Sequence, residues 1–206
     1  MIDPVNERED TTAQISRLHV PEEAVLPEDI RQLYARMREK PGFVPNVYRA
    51  YSLRPQQLRG FLALYDAIMN EESGLSKAER EMIAVAVSSQ NHCFYCLTSH
   101  GAALRVRSGD EVLADTIAAN YRAADLPPRQ RAMLDFAVKI TCASEACTEE
   151  DIAALRAHGF SDEDIMDIVQ VAAFFNYSNR VANALDLRPN RAYHHMARAG
   201  DPRART

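Results

Sequence analysis

Two cysteines, a histidine four residues after the second and a carboxylate upstream of both form one constellation in this chain: Glu81, Cys93-Phe94-Tyr95-Cys96 and His100. A Cys-x-x-Cys pair at a helix start brings two thiols within reach of a disulfide, and the amide dipoles at that end favour a thiolate. His100 is spaced i, i+4 from Cys96, so on a helix the imidazole and the second thiol share a face. A base beside a thiol is what nucleophilic cysteine chemistry requires. Glu81 lies on the preceding helix. Folded back antiparallel, it is able to orient His100 directly or through a water, so that the carboxylate favours an imidazolium and that cation favours a thiolate at Cys96. A free thiol titrates near ~8.5, so only a small fraction is ionised at neutral pH, and each unit of depression is worth about 1.4 kcal/mol. The plainer reading of Glu81 is a surface acid paired with Arg80 or Lys77.

Other readings of the same residues compete. His92, Cys93, Cys96 and His100 are four candidate zinc ligands, but adjacent His92 and Cys93 suit a tetrahedral site poorly and no second cysteine pair follows at finger spacing. The thiols could also be inert packing groups. Cys142 and Cys147 read as buried small hydrophobes. Glu79 reads as a helix-capping partner of Ser76 rather than a catalyst. His194-His195 lies near a basic tail and reads as solvated, and His19 and His158 have no acidic or thiol neighbour at useful spacing. Asn176-Tyr177-Ser178-Asn179-Arg180, polar after an apolar run, reads as a buried, hydrogen-bonded helix start near the site.

The elements that position these groups are helical. Residues 1–26, with Pro4, Pro21 and a charged run at Glu7–Asp10, read as an N-terminal arm. From there to 195 the period is that of one helical domain, and 196–206 reads as a frayed tail. Ile30, Leu33, Tyr34 and Met37 mark a helix stopped by Pro41-Gly42; Pro45 suits the first position of a short helix with Val47 and Tyr51. Leu58, Phe61, Leu62, Tyr65 and Ile68 form the next stripe. Ser76-Lys77-Ala78-Glu79 is a capping box that opens a helix burying Met82, Ile83, Ala86 and Val87. A helix from Cys96 to Arg107 should end at Ser108-Gly109. Further helices carry Leu113 and Ile117, then Met133, Phe136, Ala137 and Ile140, then Ile152 and Leu155 between Thr148 and Gly159. Ser161 caps a helix bearing Ile165, Ile168, Val169 and Ala172, and Asn176 to Leu187 is expected to form one more. The result is an all-α bundle of roughly ten helices.

A weak repeat runs through it. Ser76 and Ser161, Ile83 and Ile168, and Asn91 and Asn176 are each 85 residues apart. Read as two degenerate structural repeats, the second copy has lost the chemistry: Ser178 stands opposite Cys93, Val181 opposite Cys96 and Leu185 opposite His100.

Composition narrows the function classes. The chain has 206 residues, 47% hydrophobic and 26% charged, as globular proteins do. Seven Gly, no Trp and no alternating Val/Ile/Thr runs give little support to a β-sandwich or barrel. A formal charge of −5 makes nucleic acid a poor partner. The polar Ser88-Ser89-Gln90-Asn91-His92 interrupts the most apolar stretch, so no membrane span is expected. The opening residues lack a basic leader and an apolar core, so a cytoplasmic, reducing compartment is expected.

The motif Ser76-x-x-Glu79-x-Glu81 followed by Cys93-Phe-Tyr-Cys96-Leu-Thr-Ser-His100 resembles the alkylhydroperoxidase AhpD and carboxymuconolactone decarboxylase superfamily, and within it the peroxidase-related branch. Pro41-Gly-Phe-Val-Pro-Asn-Val-Tyr48, Phe175-Asn-Tyr-Ser-Asn-Arg180 and Arg188-Pro-Asn190 carry the resemblance further, over residues 27–195. It implies an AhpD-like multihelical bundle, a homo-oligomer, and a thiol peroxidase that reduces hydroperoxides with no cofactor or metal. In the family scheme Cys96 is attacked by peroxide and becomes a sulfenic acid, Cys93 resolves it into a disulfide, and His100 and Glu81 relay protons. A dithiol or protein reductant must then regenerate the pair. The family's best-known member has a histidine where Tyr95 stands, so one relay member is missing or replaced by a phenol. True carboxymuconolactone decarboxylases lack the cysteine pair, which argues against lactone decarboxylation. The alternatives are a thiol–disulfide oxidoreductase and a non-catalytic assembly module with a structural metal or inert cysteines. For a homo-oligomer, some of Tyr48, Tyr51, Phe61, Tyr65, Phe174 and Phe175 are expected at subunit contacts.

Overall fold

Each apolar stripe becomes a helix because its hydrophobic face has another helix to cover it. The computed structural model describes residues 14–199 and contains no strand among them. The helices are α1 (Glu28–Glu39), α2 (Asn46–Tyr51), α3 (Pro55–Met69), α4 (Lys77–Gln90), α5 (Phe94–Ser108), α6 (Glu111–Asn120), α7 (Pro128–Ala143), α8 (Glu149–Ala157), α9 (Asp162–Ala184) and α10 (Ala192–His195). One short 3-10 turn (Glu23–Val25) precedes α1, and two more (Tyr121–Ala123 and Ser144–Ala146) flank α7. No helix among the described residues is long and apolar enough to cross a membrane.

The bundle is built around α4. Every residue from Glu79 to Ser88 is buried, and α5, α6, α7 and α9 pack around it. A helix enclosed on all sides must satisfy its own polar groups, and its start does so through the capping box. Glu79 N–H donates to Ser76 Oγ at 3.1 Å, and Ser76 N–H donates to Glu79 Oε2 at 2.9 Å. Glu79 is thus a capping partner, tied further to Arg129 at 2.8 Å. α9 opens the same way, with Asp164 where α4 has Glu79: Asp164 N–H donates to Ser161 Oγ at 3.1 Å, and Ser161 N–H donates to Asp164 Oδ2 at 3.0 Å.

Four expectations need correction. The break expected before Asn176 is absent, and α9 runs unbroken for 23 residues. Asn176 does not start a helix; its amide bonds back to Ala172 O at 3.0 Å and across to Thr141 Oγ1 at 3.0 Å, so the polar side chain is satisfied inside the helix. Pro45 stands at the cap of α2, one residue before its start. Cys142 is exposed rather than buried, because α7 turns it toward Gln90 on the outside of the bundle; Cys147 is half-buried. The tail expected to fray from 196 is held as far as Arg198: Arg105 donates to Met196 O at 2.9 Å, and Arg198 pairs with Asp115 at 2.7 Å. Arm residues 1–13 and tail residues 200–206 lie outside the described residues.

The described part of the arm is strapped to the end of α9. Arg17 N–H donates to Leu185 O at 2.8 Å, and Arg188 N–H donates to Ile15 O at 3.0 Å. The next turn of chain is locked to the loop before α2. Asn46 N–H donates to Asn190 Oδ1 at 2.8 Å, Asn46 Nδ2 to Arg188 O at 2.8 Å, and Asn190 Nδ2 to Val44 O at 3.0 Å. The Pro-Asn dipeptides at 45–46 and 189–190 are therefore two halves of one clamp, which closes one side of the cysteine pair through Val47, Ala50 and Leu187. Within the chain these aromatic residues also meet one another: Tyr51 and Phe61 with ring centroids 4.7 Å apart, Phe61 and Phe174 at 5.2 Å, and Phe174 edge-on to Phe175 at 5.4 Å.

Candidate active site

α4 ends at a sharp turn. His92 adopts a left-handed backbone (φ 50°), and Cys93 follows as the N-cap of α5. The first-turn amides of α5 lack helical partners, and one of them, Cys96 N–H, points at Cys93 Sγ at 3.5 Å. Both thiols are free, with Cys93 0% and Cys96 2% exposed. They pack with Tyr95, Ala182 and Leu187.

Glu81 and His100 meet. His100 Nδ1 lies 2.8 Å from Glu81 Oε2, and Glu81 is only 3% exposed. The alternative partner, Arg80, turns the other way, donating to Ile68 O at 2.9 Å and Ser73 Oγ at 2.6 Å. A buried carboxylate needs a partner, and His100 is the one the fold supplies. The imidazole is boxed by Phe175, edge-on at 4.5 Å, and by Tyr65 at 6.3 Å. Burial keeps the surrounding phenols protonated: it pushes Tyr48 up to about 12 and raises Tyr65 and Tyr193, with the charge of Glu81 adding to the effect on the last two.

The surroundings push the two sulfurs in opposite directions. Cys93 is held below the ordinary cysteine range, chiefly by the hydrogen bond it accepts from the Cys96 thiol, and also by Cys96 N–H, the charge of His100 and the amide of Asn179, all against desolvation. Cys96 is pushed well above that range by the same shared hydrogen bond, by burial and by the charge on Cys93. The donors around the pair therefore favour ionisation at Cys93 over Cys96, whereas the i, i+4 spacing from His100 pointed to Cys96. A helix-capping position outweighs a shared helix face, because three donors converge on Cys93.

Tyr95 faces away from this exchange. Its Oη accepts from Val47 N–H at 3.1 Å and reaches Tyr193, so the phenol secures α2 and α10. His92 is exposed, and no three His, Cys, Asp or Glu side chains converge as metal ligands among the described residues. His19, His158, His194 and His195 are exposed.

Sequence reasoning singled out 176–180 without assigning the individual roles there. Asn179 is fully buried and acts to lower both thiols, and Ser178 acts to lower Cys96. The offset of 85 was the available signal: it sets Ser178 opposite Cys93, and the structure brings Asn91 and Asn176, equivalent under that offset, into contact at 2.9 Å.

The model of the carboxymuconolactone decarboxylase family matches residues 55–120 and again 110–187, two matches that accord with two repeats. No curated protein matches the chain. Among solved structures, an alkylhydroperoxidase AhpD core described as an uncharacterized peroxidase-related protein, from Ralstonia eutropha JMP134, is 51% identical, with 91% of this chain and 98% of that one covered and a TM-score of 0.89. An uncharacterized peroxidase-related protein from Silicibacter sp. TM1040 is 49% identical over 90% of this chain and 97% of that one, with a TM-score of 0.87. The debrominase Bmp8, 19% identical over 90% of this chain and 96% of that one at a TM-score of 0.71, shares the fold. On the double family match and the near-complete overlap with these two half-identical relatives, the chain belongs to the carboxymuconolactone decarboxylase family, among its AhpD-like peroxidase-related proteins.

Proposed function

We propose that the protein is a dithiol hydroperoxide reductase in which Cys93 and Cys96 cycle between thiols and a disulfide, with His100 and Glu81 moving the protons. The observation that carries this reading is the buried Glu81–His100 contact at 2.8 Å beside a reduced Cys-x-x-Cys pair whose first member caps the helix. Burial favours a small oxidant over a protein disulfide, since sulfurs 0% and 2% exposed admit a peroxide far more readily than another polypeptide.

The steps follow from the proton the sulfurs share. Cys93, held by several donors, can take up the proton that Cys96 must lose before it attacks. Cys96, the more basic sulfur, passes its proton to Cys93 as it attacks the terminal oxygen of ROOH. The O–O bond breaks, His100 protonates the departing alkoxide, and Cys96 is left as a sulfenic acid with ROH released. The Cys93 sulfur then attacks Cys96, expelling water and forming the disulfide. An external dithiol reduces it, becoming a disulfide itself, which fits a reducing, cytoplasmic setting. Glu81 holds the Nδ1 side of His100 so that Nε2 is left to exchange protons.

Homo-oligomerisation belongs to the same reading, on the exposed apolar side chains Leu64, Met166 and Tyr177 of α3 and α9. Light scattering at micromolar concentration should show more than a monomer.

Mass spectrometry of the thiols before and after one equivalent of an organic hydroperoxide tests the reaction. The expected result is loss of two hydrogens confined to the Cys93–Cys96 peptide. Thiols unchanged by hydroperoxide, but oxidised by a small disulfide and reduced again by a dithiol, would replace this reading with thiol–disulfide exchange.

A further inference from the structure

The second repeat has no cysteine at the positions equivalent to Cys93 and Cys96, yet it places a buried polar residue beside them. Asn179 is 0% exposed, in the last two turns of α9. A buried amide must use its polar atoms, and the orientation of this one is fixed by its partners. Its Oδ1 is occupied by Asn91 Nδ2 at 3.0 Å, so its Nδ2 faces the opposite side, where it donates to Ser88 Oγ at 3.0 Å; the carbonyl of Ser88 in turn accepts from Cys93 N–H at 3.0 Å, which sets the amide beside the pair. Asn91 is itself pinned: Nδ2 also donates to Asn176 Oδ1 at 2.9 Å, and its carbonyl accepts from Asn183 Nδ2 at 2.9 Å. The network runs across the contact between α4 and α9.

We propose that Asn179 is the residue through which the second repeat acts on the redox pair: its amide N–H holds the anionic sulfur of the reduced dithiol, and Asn91 is the positioning residue that keeps that N–H turned toward the pair. The assignment rests on the dithiol reading above. An N–H donor favours a thiolate over a thiol and loses its charged partner when the disulfide forms, so Asn179 stabilises the reduced state. The direction of its effect on both sulfurs agrees, since it lowers Cys93 and opposes the rise at Cys96. The other ionisable groups facing the pair are His100 and Tyr95 on α5, with Glu81 behind His100 on α4, and Tyr51 of α2. None supplies a neutral N–H donor that both sulfurs share.

The test is Asn179→Leu, close in volume but without donors, read in two ways that need no peroxide. Site-resolved mass spectrometry of alkylation by iodoacetamide across pH 5–10 follows the thiolate of the reduced pair. Equilibration with dithiothreitol buffers follows the stability of the disulfide. The alkylation midpoint should rise by about one pH unit, a tenfold loss of thiolate at fixed pH. The dithiothreitol equilibrium should shift toward the protein disulfide by a similar factor, because the reduced form has lost its donor. Asn91→Ala, which frees the Asn179 amide while leaving it in place, should move both readouts the same way by about threefold, and it remains informative if Asn179→Leu fails to fold. A folded Asn179→Leu protein, or an Asn91→Ala protein, with both readouts unchanged overturns the proposal and leaves Asn179 a packing residue. Parent protein whose pair alkylates normally but ignores hydroperoxide would overturn the peroxidase reading alone.

Discussion

The two repeats begin alike and end differently. α4 and α9 both open on a serine capping box, with bonds of 2.9 and 3.1 Å in one and 3.0 and 3.1 Å in the other. α4 then stops at Asn91-His92 and restarts at Phe94, whereas α9 continues through the equivalent position. The interruption creates the chemistry. It frees first-turn amides, and one of them bonds the capping sulfur of Cys93. Ser178, opposite Cys93 in the second repeat, lies within a continuous helix whose amides are already used. A cysteine there would gain no N-terminal dipole. One break in one copy separates a helix end that can stabilise a thiolate from a scaffold that supports it.

The comparison breaks most completely at the sulfurs. Cys96→Ser should abolish peroxide consumption. Cys93→Ser should react slowly and stop at a sulfenic acid on Cys96 that a dimedone probe traps, since both the proton acceptor and the resolving thiol are gone. Trapping on Cys93 in the Cys96→Ser protein, at the parent rate, would make the resting thiolate the nucleophile. The proton pair comes next. Glu81→Gln should slow the peroxide step by on the order of 10²-fold, and His100→Ala similarly. Groups acting as a unit are not additive, so the double variant should cost far less than the two effects combined. Stopped-flow rates across pH 6–8 check this; a parent rate in Glu81→Gln would leave Glu81 a structural residue.

Much of this was legible because local rules and tertiary packing agree. The capping boxes, the Gly109 stop of α5 (φ 70°) and the buried face of each helix follow from residue type and period. The Glu81–His100 contact followed from folding one helix back on the next. Three features were not legible. Continuity of α9 depends on Thr141 and Asn91 satisfying Asn176 across helices, which no local pattern encodes. The exposure of Cys142 depends on which flank of α7 the bundle leaves uncovered, while its composition suggests a core residue. The lowering of Cys93 depends on donors converging in space, one of them from a residue more than eighty positions away.

The matched caps allow a finer test. Ser76→Ala and Ser161→Ala should each cost about 1 kcal/mol in urea unfolding, the usual effect of losing an N-cap serine. The two caps are close in space: a Cβ on Gly74 would lie 2.0 Å from Asp164 Oδ1, so the chain entering α4 packs on the carboxylate that closes the box of α9. The double variant should therefore depart from the sum of the two by about 0.5 kcal/mol or more. Additivity would show that the repeats cap independently.

The smallest effect probes the break itself. His92 holds φ 50° with its side chain exposed, so its backbone rather than its imidazole matters to the turn. A side-chain-bearing residue in the left-handed region costs roughly 1–2 kcal/mol, while glycine adopts it freely but loses about 0.5–1 kcal/mol of chain entropy on folding. His92→Gly should therefore gain less than about 1 kcal/mol of stability. His92→Val should lose about 1 kcal/mol or more, because a β-branched residue fits that region worst. Both should alkylate at Cys93 and Cys96 with the parent pH midpoint if they fold to the same turn. If His92→Val were as stable as the parent, the left-handed residue would not be what ends α4, and the difference between the repeats would have to come from Asn91, whose side chain ties the end of α4 to Asn176 and Asn179.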